Sequence, residues 1–367
     1  MDAETADRHR EESPLPNRAE ALAELERHIP VLQEKTRTAM TGIGKIWQPS
    51  DILPDFRHDE KAFEEIRAIQ RRARGLSPEL LMVLIGDTVT EEGLPLFTSR
   101  LFTLHGLPAN ESGDVHPHGG NLQQWFNGWT AEEHRHGELL KMYLRMTGRV
   151  DMVGFERTVQ LFLEDGLDVK IDGDPYKGFV YTSFQELATQ RSHLNVAKLA
   201  KKQGDPYLAE ICGQIASDEG HHARAYIAFV RKFFEHDPDG MMLALRDMFA
   251  SGITMPAHNM REVDPNGNVL QPGKTFEYFS AVAQQLGVYT AKDYAEISAH
   301  LIGEWKVGTK NGDAWEALPF EGLSEDGREA QQKILRQQRI VEKLASKDRK
   351  TTVPEHESSW VVRTERK

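Results

Sequence analysis

Cysteine is almost absent from this chain, with Cys212 alone among 367 residues. An intramolecular disulfide is therefore excluded, and stability has to come from a packed core, as suits a reducing compartment such as the cytoplasm. Long apolar runs are missing too. No stretch reaches the roughly 18 apolar residues that a membrane-spanning helix needs, so no membrane span is expected. Basic excess is lacking: 45 Lys and Arg stand against 57 Asp and Glu, a formal net charge of −12. That balance argues against general nucleic-acid binding. The opening residues, "MDAETADRHREESPLPNRAEALAELERH", are polar and acid-rich, unlike a signal or transit peptide. Period-two strand patterns are scarce, and no solenoid-type repeat is present.

What is present is helical periodicity. Breaks rich in Gly, Pro, Asn and Asp fall at 107–121, 170–178, 236–240 and 264–274. The expected organisation is a flexible lead over 1–18, one helical domain over 19–346 and a charged tail over 347–367. The expected fold class is all-α, a four-helix core at about 76–235 elaborated with further helices.

Two predicted helices share an oddity. Steps of three and four through the first pass Leu122, Phe126, Trp129, Glu133, His136, Leu140 and Tyr143. Such steps stay on one face, and that face is apolar except for Glu133 and His136. The second helix gives Cys212, Ile215, Glu219, His222, Tyr226, Phe229 and Phe233. Again one Glu-x-x-His pair interrupts an apolar stripe. A buried carboxylate is costly unless it is paired or binds metal. Glu-x-x-His from each of two helices, with one Glu from each of two more, is the donor set of di-iron carboxylate bundles. Four carboxylates balance two Fe²⁺ ions, and two neutral imidazoles add positions without charge.

The pattern demands two more acids. One is Glu186, on a stripe with Phe179, Thr182, Thr189, His193 and Val196. For the other, periodicity leaves both Glu91 and Glu92 open, because "LLMVLIGDTVTEEGLPLF" is apolar on nearly every face. Asp218 and Glu132 each precede a stripe glutamate and are candidates to orient the imidazoles.

The blocks "WQPSDILPDF", "GDTVTEEGLP", "WTAEEHRHG", "YTSFQELAT", "SDEGHHARAY", "MPAH" and "FSAVAQQLGVYTAKDYAEI" occur in that order. Together they resemble the soluble acyl-acyl-carrier-protein desaturases, over about residues 30–345. The resemblance implies a ferritin-like bundle, usually homodimeric, holding two iron ions on Glu91, Glu133, His136, Glu186, Glu219 and His222. It selects Glu91 over Glu92. It implies O₂-dependent insertion of a cis double bond into an acyl chain on acyl carrier protein, with electrons from a ferredoxin. By family position Arg100, Thr103, Leu104 and Phe179 border the acyl channel, and Arg100 departs from the apolar residues usual there. Thr189, one turn beyond Glu186, has two readings: a hydroxyl bonded back to its helix, or, as the resemblance implies, proton delivery. His116 and His118, in a loop longer than the family's, are expected at the surface. Basic residues at 67–74 and 231–234 are candidates to receive the acidic carrier protein.

Other readings use the same bundle. Ribonucleotide reductase small subunits often carry a radical Tyr four residues after the first ligand His, where this chain has Leu140. A metal-free relative that only binds carrier protein would not need all six donor residues.

Overall fold

The computed structural model describes residues 17–107, 120–264, 267–347, 351–355 and 358–362. The described chain is helical almost throughout. Its helices are α1 (Asn17–Thr36), α2 (Pro49–Ile52), α3 (Asp59–Ala73), α4 (Pro78–Glu92), α5 (Leu94–Phe102), α6 (Asn121–Thr147) and α7 (Met152–Asp165). They continue with α8 (Pro175–Lys202), α9 (Pro206–His236), α10 (Pro238–Ser251), α11 (Lys274–Leu286), α12 (Ala291–Glu304) and α13 (Glu325–Ala345). A short 3₁₀ turn covers Pro256–Asn259. The sheet among the described residues is one antiparallel hairpin, β1 (Gly308–Asn311) with β2 (Ala314–Ala317).

The start of several helices is written locally. Ser77-Pro78, Asp174-Pro175, Asp205-Pro206 and Asp237-Pro238 each pair a capping side chain with a proline. The caps accept from the backbone N–H of Leu80, Tyr176, Leu208 and Gly240 respectively. Proline suits the first helical position because that N–H has no partner in the helix anyway. The break expected at 170–178 accordingly ends at Asp174, and Pro175 already belongs to α8. Asp205 does more than cap: fully buried, it also accepts the Tyr143 hydroxyl at 2.7 Å, tying α9 to α6.

Four helices, α4, α6, α8 and α9, form the centre, and its polar layer lies between two apolar clusters. Trp125, Phe126 and Trp129 of α6 join one cluster, Leu139, Leu140 and Tyr143 the other, with Glu133 and His136 between them. The order reverses on α9, where Ile211, Cys212 and Ile215 precede Glu219 and His222, and Tyr226 and Phe229 follow. The remaining helices wrap this centre. Phe279 of α11 presses into the notch at Gly86 on α4, where an added Cβ would sit 2.2 Å from the ring. Any side chain there would push α11 away.

The C-terminal stretch, expected as part of a charged tail, packs against the body in its described part. Trp360 is fully buried, and its indole N–H donates to the Thr158 hydroxyl at 2.9 Å. Val361 pairs with Val150, and Ser358 donates to Glu262 at 2.7 Å.

Candidate metal centre

Glu91, Glu133, His136 and Glu219 bring one donor atom each within 4.8 Å of one another, and so do Glu133, Glu186, Glu219 and His222. The two groups share Glu133 and Glu219. All six residues are buried. At one end His136 Nδ1 faces Glu133 Oε2 at 3.3 Å, Glu219 Oε1 at 3.5 Å and Glu91 Oε2 at 3.8 Å. At the other, His222 Nδ1 faces Glu133 Oε1 at 2.8 Å and Glu186 Oε2 at 3.4 Å.

Around this cluster the hydrogen bonds point outward. His222 Nε2 donates to Glu132 at 2.9 Å, and His136 Nε2 lies 3.4 Å from Asp218. The pairing crosses helices: Glu132, on the helix of His136, holds His222, while Asp218, on the helix of His222, holds His136. Asp218 also accepts from Trp47 Nε1 at 2.9 Å and from Arg135 at 3.3 Å, and the Arg135 guanidinium stacks over the Trp47 ring. These bonds leave the inward atoms without partners. His136 Nδ1, His222 Nδ1, Glu133 Oε1, Glu186 Oε2 and Glu219 Oε1 are buried and make no hydrogen bond. Across proteins most buried polar atoms are satisfied, and here five unpaired ones converge on one cluster. Converging acceptors with their donors turned away are the arrangement a cation requires.

The electrostatics agree. Burial, then the charge on Glu133, raises Glu219 well above the ordinary carboxylate range, and the same causes raise Glu186. Burial opposes ionisation of Glu133 as well, but His136 and His222 outweigh it and hold its carboxyl low. Glu186 and Glu219 thus resist ionising beside Glu133 unless positive charge is added.

A family model for fatty acid desaturases matches residues 17–362. The chain belongs to this family. Among curated members, the stearoyl-[acyl-carrier-protein] 9-desaturase of Olea europaea is 42% identical over 333 residues, covering 90% of this chain and 79% of that protein. Its counterpart 9-desaturase 3 of Arabidopsis thaliana is 42% identical over 319 residues, covering 86% and 75%. The acyl-[acyl-carrier-protein] desaturase of Cucumis sativus is 42% identical over 299 residues, covering 82% and 70%.

Two cavities meet at the cluster. A narrow apolar slot runs between Leu94, Phe97, Leu101, Leu167, Val169 and Ile171 and touches Glu91, Glu133, Glu186 and Glu219. A larger cavity of about 440 Å³ lies between α4 and α8 on one side and 253–258, α11 and α12 on the other. Thr90, Glu91 and Thr189 line both. The Thr189 hydroxyl bonds back to the carbonyls of Gln185 and Glu186, both at 3.1 Å.

Of the expected channel residues, Arg100 lines the slot, its Nε donating to the Leu167 carbonyl at 3.0 Å. Thr103, Leu104 and Phe179 line neither cavity. The Thr103 hydroxyl turns back to Ser99. Leu104 packs behind Gly178, and Phe179 stacks among Phe126, Tyr226, Phe229 and Phe233. Glu92 points away from the cluster and accepts from Lys141 at 2.5 Å. Residues 67–74 and 231–234 border neither cavity, and His116 and His118 lie outside the described residues.

Four residues that carry no role in the sequence pattern, His193, Trp129, Trp47 and Arg135, join the site. His193 donates to Glu91 Oε1 at 3.0 Å and Trp129 to Glu186 Oε1 at 2.9 Å. The signal was available for both: each lies on a stripe that carries a site glutamate.

Asp87, on the wall of the larger cavity, offers a pH test. Burial raises its carboxyl to about 6, against the lowering effects of His193 and the Ser192 hydroxyl. Its folded value lies above its unfolded one, so its contribution to stability is full below about pH 4 and is lost as pH rises through about 6. Asp87→Asn should therefore stabilise the metal-stripped protein by about 1–3 kcal/mol at pH 8 relative to pH 4. Urea unfolding at both pH values measures this, and equal shifts at the two would refute it.

Proposed function

We propose that the chain is an acyl-acyl-carrier-protein desaturase, inserting a cis double bond into a saturated acyl chain at a centre of two iron ions. The observation that carries this reading is the convergence of six buried donor residues, five of them with an unpaired inward atom, beside an apolar slot that four of them line and that shares Glu91 with a larger cavity. Kinship at 42% identity with proteins named for that activity supports it. The reaction removes two hydrogens from unactivated methylene groups, while O₂ is reduced to two waters with two external electrons. A ferredoxin-type protein fits as donor. A homodimer and a cytoplasmic setting complete the proposal; no helix among the described residues is long and apolar enough to cross a membrane.

Bound iron would supply O₂ activation and hydrogen abstraction, which no side chain can perform. The ligands would be Glu91, Glu133, His136, Glu186, Glu219 and His222. The rest of the work belongs to the protein. Asp218 and Glu132 orient the imidazoles so that each Nδ1 faces inward. The acyl chain enters through the larger cavity, passes the carboxylates at Thr90 and Thr189, and ends in the slot. Leu94, Leu101 and Val169 keep water from its far half. Thr189 Oγ1, at the junction, is placed to pass a proton while its helix carbonyls hold it in position.

Reduced enzyme incubated with C14–C18 acyl-carrier proteins should yield one monounsaturated product series, located by mass spectrometry. No product with any chain, from protein carrying two irons, would overturn the proposal. Arg100 borders the slot, so Arg100→Met should change the preferred chain length or the bond position. An unchanged product profile would remove Arg100 from the channel.

A further inference from the structure

The cluster is nearly symmetric, and the symmetry extends one step beyond its six donors. Each half has an imidazole, from His136 or His222, and an end carboxylate, Glu91 or Glu186. In each half one oxygen of the end carboxylate is held by a buried aromatic N–H. His193 Nε2 holds Glu91 Oε1 at 3.0 Å, and Trp129 Nε1 holds Glu186 Oε1 at 2.9 Å. The other oxygen, Oε2, is thereby turned to the imidazole of the same half, 3.8 Å from His136 Nδ1 and 3.4 Å from His222 Nδ1. Neither donor has freedom to wander, since His193 is 1% and Trp129 5% exposed.

We propose that His193 and Trp129 are positioning residues, each fixing the end carboxylate of one metal position, and that His193 governs the Glu91–His136 position alone. Glu133 and Glu219 are common to both halves, so losing either would disturb both. His193 touches only the carboxylate that is not shared. The two holders also differ in setting. His193 stands on the wall of the larger cavity, beside Ser192 and Asp87, whereas Trp129 lines the narrow slot. The carboxylate held by His193 is thus the one nearer the cavity through which substrate enters. The inference rests on the metal-site reading above, and the experiment separates the two.

The test titrates metal-free full-length protein with Co²⁺, following the ligand-field absorption and the stoichiometry by equilibrium dialysis. Wild type should bind two ions. His193→Met removes the N–H and should weaken one of the two positions by about 10–100-fold, the usual cost of losing a group that supports a ligand, leaving the other unchanged. His193→Gln, which restores a terminal N–H donor, should recover most of the loss. Trp129→Phe should weaken one position by a similar factor, and its combination with His193→Met should weaken both. Two ions bound by wild type and by both single variants with equal affinity would overturn the inference while leaving the metal-site reading intact. Loss of both ions together in folded His193→Met would also overturn it. Should His193→Met fail to fold, His193→Gln against Trp129→Phe decides: a Gln variant as impaired as the Phe variant refutes a hydrogen-bonding role. No ion bound by wild type would overturn the metal-site reading itself.

Discussion

Glu219→Ala is expected to abolish turnover and strip the protein of metal while leaving its helices in place. The side chain is 1% exposed and belongs to both donor groups. Removing it takes the same donor residue from both metal positions at once. The loss in metal affinity should exceed the roughly 10–100-fold typical of removing a mere supporting group. The metal-free fold should not suffer. Burial and the charge on Glu133 hold the Glu219 carboxyl well above its usual range, so above the ordinary carboxylate range of pH its ionisation disfavours the empty cluster and its removal costs no ionic support. Iron content, far-UV circular dichroism and turnover measured on one preparation check all three expectations. A Glu219→Ala protein that kept two irons and wild-type turnover would remove this residue from the ligand set.

Trp360→Ala should destabilise the protein by about 3–5 kcal/mol, the usual range for emptying a buried aromatic site. The indole is fully buried, donates to Thr158, and lies in a segment bridged to Val150. Cutting the chain after residue 355 removes the same contacts and should cost a similar amount. Thr158 sits on α7, away from the six donors, so Co²⁺ stoichiometry in the folded variant should stay at two. Denaturant unfolding measures the loss, and a change below about 1 kcal/mol would show that the segment rests on the surface without supporting it.

These two residues also mark the limits of what the sequence discloses. Glu219 was legible because a charge on an otherwise apolar stripe has few explanations. The same logic found Glu133, His136 and His222. It stalled at Glu91 and Glu92 because ten residues of α4, spread around the helix, are buried, leaving no single stripe to choose from. What separates them is Lys141, which takes Glu92 from another helix 49 positions away. Trp360 was hidden for a similar reason. It sits in a short uncharged run between Glu357 and Arg363 within a charged segment, and its partner Thr158 is 202 residues distant. The crossed pairing of Glu132 with His222 and Asp218 with His136 depends on how α6 and α9 face each other, which neither segment encodes alone. The hairpin at 308–317 was missed although Asn311-Gly312 is a turn signal, because strands of four residues show too little alternation to stand out.

The outer wall of the larger cavity comes from 253–258, α11 and α12, and none of these carries a cluster donor. Tailoring the molecule to a different guest and keeping its redox machinery intact are therefore separable problems. Exchanges at Phe276 or Ser280 would recut the room proposed above to receive the guest. The charge accounts of the six donors stay closed on the far side, which leaves the scaffold free to diversify in what it accepts without relearning how it reacts.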